Sequence, residues 1–285
     1  MHLFNIITDE IYNEVMVNGL NKVWKEDSEA QKTYLSYILK NARSSSEDLL
    51  NGTDAIFVPN LDYLITYFGD IIKSEEFDIY GKDGYTKYLH CVLIPIYDSL
   101  GKIVATTAYN PEQTVINKSI NQLKMKTDKT EQDIKDLEEL MNKKDLKYIL
   151  PSAKRISGAN YMYFPKGVYE KAINDGYIVV VDGMFDAISL NHYGINAGAL
   201  MGSKVTPVKL FTLSFIDKVF VANDNDLAGL QVLNNIKNSL DNVIPIKNRK
   251  TSDIDEYISK FGVENIKSQI SSCLKDDYKK IIILK

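Results

Sequence analysis

The stretch from Tyr177 to Leu190, YIVVVDGMFDAISL, is the feature that most constrains how this chain folds. Residues 177–181 are rich in β-branched side chains, and a short apolar run of this kind predicts a strand buried on both faces. Beyond Gly183 the apolar residues recur at helical spacing, which predicts a helix. Asp182 is therefore expected at the carboxyl end of a strand, where open α/β sheets place their ligands, and Asp186 in the first turns of the following helix.

Two further strand ends are followed by carboxylates. Residues 219–222 predict a strand, and Asp224 and Asp226 follow it at a spacing that points both side chains to one side of an extended segment. Residues 243–246 predict another strand, and the acidic residues Asp253, Asp255 and Glu256 come after it. Acidic groups at three strand ends predict a divalent-metal site, because Mg²⁺ prefers hard oxygen ligands. Asp182 is also compatible with a plain turn, since Asp-Gly is a common turn pair.

The order of these motifs resembles the TOPRIM domain of bacterial and phage DNA primases. The similarity is best between Lys147 and Gly262 and rests on three segments, VVVDGMFDAISL, ANDNDLAG and KTSDIDEYI. Asp182 stands where the family has a Glu, and it is one methylene shorter. The resemblance implies that two Mg²⁺ or Mn²⁺ ions are held by six carboxylates: Asp182, Asp186, Asp224, Asp226, Asp253 and Asp255. It further implies that three of them are catalytic: Asp182, Asp224 and Asp226.

Basic residues are implied to contact template or nucleotide. The segment Lys147 to Ser152 resembles a Lys-Tyr-Leu-Asn-Ser segment of the family, which implies that Lys147 faces phosphate. The other expected contacts are Lys154, Arg155, Lys166 and, in a Gly-containing loop before a helix starting near Pro207, Lys204. Such a cluster would offset phosphate charge. Without the resemblance, a lysine in such a segment is more often part of a solvated surface.

The chain is expected to be an α/β protein with two parts. Residues 1–170 predict a mixed α+β N-terminal subdomain, and residues 171–285 predict the TOPRIM parallel sheet with a C-terminal helical tail. In the first part, residues 1–70 predict helices, and the turn Asp98–Gly101 predicts a hairpin. Residues 113–145 look like an inserted, charged helix or helical hairpin. Residues 281–284 predict a last strand or a packed tail.

Composition limits the classes of function. The 285 residues carry a net charge of −4, and this balance argues for weak intrinsic affinity for DNA. Cys91 and Cys273 form no metal-ligand spacing, so we expect no zinc site and a reduced cytoplasmic setting. No run approaches the roughly 20 apolar residues of a membrane span, and the first residues lack the pattern of a signal peptide.

Three hypotheses about function remain open. The first is the RNA polymerase core of a primase, which takes single-stranded DNA and NTPs and works with a replicative helicase or a separate zinc-domain protein. The second is a metal-dependent TOPRIM nuclease. The third is a degenerate primase homologue that acts by binding a replication protein. The hairpin and Lys147 favour the first. Departures from the family pattern favour the third: Asp182 replaces the family Glu, residues 106–110 hold no Arg where the family usually has one after the hairpin, and the family's zinc ribbon is missing.

Overall fold

A computed structural model describes residues 2–43, 48–50, 52–74, 77, 79–80, 86–98, 100–151, 161–223, 227–248, 250–251, 254–275 and 281–284, with side chains from residue 9 onward except that of Arg43. Contacts within the chain divide it into two units. The first comprises Met1–Pro95 and Thr106–Pro151, and the second comprises Ile96–Ala105 and Ser152–Lys285. The predicted boundary near residue 170 and the predicted insertion stay predictions.

The first unit combines helices with an antiparallel sheet. The sheet has the order β1-β2-β3-β4, where β1 is Ile56–Val58, β2 is Cys91–Tyr97, β3 is Ile103–Tyr109 and β4 is Tyr148–Ile149. The end of β2 and the start of β3 belong to the second unit. Its helices before the hairpin are α1 (His2–Glu26), α2 (Ser28–Ile38), which runs into a π-helical turn (Leu39–Arg43), and α3 (Leu61–Phe68), which is followed by a 3₁₀ turn (Asp70–Lys73). Helix α1 packs against α2 and α3, and both of these contact β1. Strands β2 and β3 form the predicted hairpin.

Strand β1 lies in the region for which only helices were predicted, so that prediction was incomplete. The strand has three residues, too few to show a period of two, and it exists because it pairs with β2 in the register Ile56↔Leu93. The side chain of Gln31 in α2 forms hydrogen bonds with main-chain groups on the free edge of β1. The Gln31 Nε2 donates to the Phe57 carbonyl (3.1 Å), and the Phe57 N–H donates to Gln31 Oε1 (2.7 Å). The edge strand is thereby covered by a side chain.

Two helices occupy the charged region near residues 113–145. Helix α4 (Pro111–Met125) begins after Asn110, whose side chain accepts from the Gln113 N–H, and helix α5 (Glu131–Asn142) begins with a capping box formed by Thr130 and Asp133. Lys126 pairs with Asp133 at 2.7 Å across the connection. Helix α5 has no buried residue. The sequence was compatible with either one long helix or a helical hairpin in this region, and the structure has two helices.

The second unit is a parallel sheet with helices, which confirms the predicted α/β class. The strand order is β6-β5-β7-β8-β9, and every neighbouring pair is parallel. The strands are β5 (Tyr177–Val181), β6 (Ala197–Ala199), β7 (Lys218–Ala222), β8 (Val243–Asn248) and β9 (Ile282–Leu284). The helices are α6 (Val168–Asp175), α7 (Met184–His192), α8 (Pro207–Leu213), α9 (Leu227–Lys237), α10 (Ile254–Phe261) and α11 (Glu264–Lys275). Residues 282–284 therefore form the last strand.

Strand β5 is buried on both faces, as its sequence predicts. Ile178 and Val180 join a core cluster with Ala172 of α6 and Ile236 of α9. Residues 179 and 181 point to the opposite face because side chains alternate along a strand, and both are buried as well. Among the helices of the described part of the chain, none is long and apolar enough to cross a membrane.

Gly198 in β6 should be required for the packing beside this core. Tyr163 exchanges two main-chain hydrogen bonds with Ala199, which brings Phe164 so close that a Cβ at position 198 would lie 2.4 Å from the Phe164 ring. We expect Gly198→Ala to lower the free energy of unfolding by ~1–3 kcal/mol through overpacking, measured by urea denaturation. Phe164→Leu should relieve part of that loss in the double variant, and equal stability of Gly198→Ala and wild type would contradict this packing.

Candidate metal and nucleotide site

The carboxyl ends of β5 and β7 lie side by side. Val181, the last residue of β5, pairs with Ala222, the last residue of β7, so Asp182 and Asn223 are the next residues on adjacent strands. If β5 is counted as the first strand, the sheet order is 2-1-3-4-5. The chain passes from β5 to β6 on one side of β5, and the later strands β7, β8 and β9 lie on its other side, so the strand order reverses between β5 and β7. Doubly wound sheets bind ligands outside the carboxyl ends of the strands at such a switch point. The half-buried Asp182 lies there.

Asp186 is held in place by two neighbouring segments. Its Oδ1 accepts a hydrogen bond of 3.0 Å from the main-chain N–H of Asp255, in the first turn of α10. Its Oδ2 lies 2.6 Å from the position that a Cβ on residue 183 would occupy, so Gly183 is needed for this conformation. A carboxylate at the start of α10 also interacts favourably with the helix dipole. The structure thus brings Asp186 and the buried Asp255 together, and Asp186 has a structural role whether or not it binds metal.

Asn223 adds an oxygen at the end of β7. Its Nδ2 donates to the Gly229 carbonyl (3.2 Å), while its Oδ1 is buried without a hydrogen-bond partner. Asn223 also lines a cavity of about 160 Å³ between α9 and the ends of β7 and β8. Carboxylate and amide oxygens are hard ligands, and an orphaned oxygen beside Asp182 fits a divalent cation at this edge of the sheet.

Five predicted site residues lie outside the described residues: Lys154, Arg155, Asp224, Asp226 and Asp253. Their part in the site stays a prediction. Among the residues that the structure does describe, no three His, Cys, Asp or Glu side chains are grouped so that they could hold a metal ion. The candidate site therefore depends on carboxylates from two segments that are not described, the one after β7 and the one before α10.

The described lysines of the prediction occupy different settings. Lys147 is in the first unit, half-buried, with its Nζ 5.1 Å from the centre of the Tyr148 ring. Lys166 and Lys204 are in the second unit, and both are exposed. Lys204 belongs to a loop (residues 200–206, the β6–α8 loop) that leaves the carboxyl end of β6. Exposed lysines on such a loop are available to an anionic ligand.

The β6–α8 loop is tied to the neighbouring strand and to its own helix. The Leu200 N–H donates to the carbonyl of Val181 (2.9 Å), the residue before Asp182. Met201 has φ of 57° and Gly202 has φ of 133°, so the chain turns sharply there. The Thr206 side chain caps α8, which begins at Pro207 as the sequence predicts.

Lys209 is a residue that the sequence analysis missed. Its side chain is 1% exposed, and its Nζ donates to the carbonyls of Leu200 (2.6 Å) and Lys204 (3.0 Å). Burial lowers the pKa of Lys209 from 10.5 to about 8. The signal was available in the helical spacing, because Lys209 lies four residues before Leu213, a core residue, and so on the same face of α8.

The pKa of Lys209 predicts how stability depends on pH. Between pH 8 and 10.5 the unfolded chain binds a proton at this side chain that the folded chain has lost, so stability should rise with pH across that window. Relative to Lys209→Met, wild type should gain up to ~3 kcal/mol in free energy of unfolding between these limits. Urea unfolding of both proteins at several pH values measures the difference, and parallel pH profiles would contradict the lowered pKa.

Comparison with known proteins agrees with this geometry. Residues 179–258 match a family model described as Toprim-like, and no curated protein sequence matches the chain. That range runs from β5 to α10 and includes the switch point.

Solved primase structures share the fold over most of the chain. The Aquifex aeolicus primase, with its zinc-binding and RNA polymerase domains, is 20% identical with a TM-score of 0.65; the match covers 93% of this chain and 61% of that one. A DnaG primase catalytic domain bound to single-stranded DNA is 16% identical with a TM-score of 0.66, covering 94% and 80%. The E. coli primase catalytic core is 17% identical with a TM-score of 0.61, covering 92% and 80%. The chain carries a Toprim-like domain within the fold of DnaG primase catalytic cores.

Proposed function

We propose that this protein is the RNA polymerase core of a primase, which synthesises short RNA primers on single-stranded DNA. The observation that carries the proposal is the switch point between β5 and β7, where Asp182 and the start of the Asp224–Asp226 motif leave paired strands within a primase-core fold. One similar structure is a primase catalytic domain bound to single-stranded DNA, and two others are primase RNA polymerase domains in complex with double-stranded DNA.

The reaction would join the primer 3′-oxygen to the α-phosphorus of an NTP and release pyrophosphate. Two bound Mg²⁺ or Mn²⁺ ions would supply an activated 3′-hydroxyl and charge neutralisation at the leaving group. Asp182, Asp224 and Asp226 are the proposed catalytic ligands. Asp186, Asp253 and Asp255 would complete the acidic set, and the Asp255 N–H orients the Asp186 carboxylate through Oδ1. Hydrogen bonds of this kind hold a metal-binding carboxylate in one orientation.

Template and nucleotide would be gripped by the basic residues. Lys204 on the β6–α8 loop and Lys166 are exposed in the unit that holds the acidic edge, and they would contact nucleotide phosphate. Lys147, Lys154 and Arg155 would contact the template backbone or nucleotide. The net charge of −4 makes tight binding to DNA by this chain alone unexpected. A helicase or a separate zinc-domain protein would then deliver the template.

Primer synthesis tests the proposal directly. Asp224→Asn should lower metal-dependent incorporation of labelled NTPs on single-stranded DNA by on the order of 100-fold or more, because a metal ligand loses its charge. Asp217→Asn is the matched control, since Asp217 is an exposed acid that precedes β7 at the opposite, amino end of the sheet. Undiminished synthesis by Asp224→Asn would contradict the metal assignment. Degradation of the template in place of synthesis would favour the nuclease hypothesis. If wild type carries out neither reaction, the hypothesis of a degenerate binding homologue is favoured.

Metal binding can be separated from the structural role of Asp186. Asp186→Asn keeps an oxygen for the Asp255 N–H but removes the charge, whereas Asp186→Ala removes both. We expect only the Ala variant to melt lower without metal, and both variants to lose most of the Mn²⁺-dependent rise in Tm. For wild type that rise corresponds to ~2.7 kcal/mol at a metal concentration of about 100 Kd. A full Mn²⁺ response in Asp186→Asn would show that this carboxylate is structural only.

A further inference from the structure

We propose that Lys209 is a positioning residue, whose ammonium group holds the β6–α8 loop in the conformation that presents Lys204 to a nucleotide phosphate. The inference rests on the proposed function for the identity of the ligand, an NTP. It adds a residue that the primase motifs of this sequence do not include. Lys209 acts through the loop and does not itself touch substrate.

The geometry of the contact is unusual for a lysine. The Lys209 Nζ joins the carbonyl of Leu200, at one end of the turn, to the carbonyl of Lys204, near its other end. The side chain is 1% exposed, so the cation is directed into the protein and its donors are used on main-chain oxygens. Hydrogen bonds from a charged donor are stronger than neutral ones. A single side chain therefore fixes both ends of the turn.

The turn has little else to hold it. No main-chain N–H of residues 201–205, all of them within the described part of the chain, donates to another group of the protein. Residues 202–204 are exposed, and Val205 packs against the core cluster. Met201 adopts a left-handed φ of 57°, which a non-glycine residue rarely keeps without support from its surroundings. Removing the two carbonyl contacts should therefore loosen the turn.

The loop is also connected to the acidic edge. Leu200, which Lys209 holds through its carbonyl, donates its own N–H to Val181, the residue before Asp182. The alternative is that Lys209 is only a core residue whose loss lowers global stability. The two possibilities differ in what they predict for the loop and for the nucleotide.

Lys209→Met tests the proposal, with Lys218→Met as the matched control. Lys218 also donates its Nζ to a main-chain carbonyl, that of Cys273 (2.9 Å), but it is the first residue of β7, at the amino end of the sheet. In Lys209→Met we expect amide hydrogen exchange at Leu200 and Leu210 to quicken by ~10-fold or more relative to amides of β5 and β7. The KM for NTP in primer synthesis should rise ~5–20-fold with kcat within ~2-fold, because the loop binds phosphate in ground and transition states alike.

Lys218→Met should leave the exchange at Leu200 and Leu210 and the KM for NTP unchanged, even if it lowers Tm. Lys209→Arg, which keeps a charged donor, should have a KM for NTP between those of wild type and Lys209→Met. If Lys209→Met does not fold, Lys209→Gln, which keeps an N–H donor on a shorter side chain, takes its place in both measurements.

The outcomes separate this inference from the proposed function. Unchanged exchange in the loop of Lys209→Met would overturn the inference. Faster exchange with an unchanged KM would overturn the role towards nucleotide. If wild type makes no primer, the proposed function fails, and the inference is then decided by the exchange data together with the affinity for Mn²⁺-ATP. Loss of affinity in Lys209→Met but not in Lys218→Met supports the inference. Equal affinity in all proteins overturns it.

Discussion

The parallel pairing of β5 with β7 is the interaction on which the rest of the candidate site depends. The two strands pair along their whole length, from Tyr177↔Lys218 to Val181↔Ala222. Because parallel strands of equal length end at the same edge, two motifs about forty residues apart in sequence leave the sheet as neighbours. Because both faces of β5 are packed, a slip by one residue would move each side chain into a space filled by a different one, which close packing opposes.

Polar side chains that reach main-chain groups organise the edge above these strands. Asp186 accepts from the Asp255 N–H, Asn223 donates to the Gly229 carbonyl, and Lys209 donates to the Leu200 carbonyl. Residues beyond the end of a strand do not take part in the hydrogen bonds between strands, so their buried N–H and C=O groups need other partners. These contacts come from segments that follow four different strands. They hold the polar side chains at this edge of the sheet in defined orientations.

The fold is kept with little identity of sequence. A TM-score of 0.66 at 16% identity means that the pattern of burial, rather than particular side chains, specifies this architecture. The chain spans only 61% of the Aquifex aeolicus primase structure, which includes a zinc-binding domain.

Local apolar periodicity and turn residues were enough to predict the parallel α/β sheet, the hairpin and the place of Asp182 at the end of β5. Asp224, Asp226 and Asp253 lie outside the described residues, so their positions stay predictions. It did not reveal β1, whose three residues become a strand only against β2 and Gln31. The burial of Lys209 against two carbonyls depends on tertiary contacts, and so does the hydrogen bond that Asp186 accepts from α10, sixty-nine residues away. Contacts between distant segments have no period in the sequence, so the folded chain alone defines them.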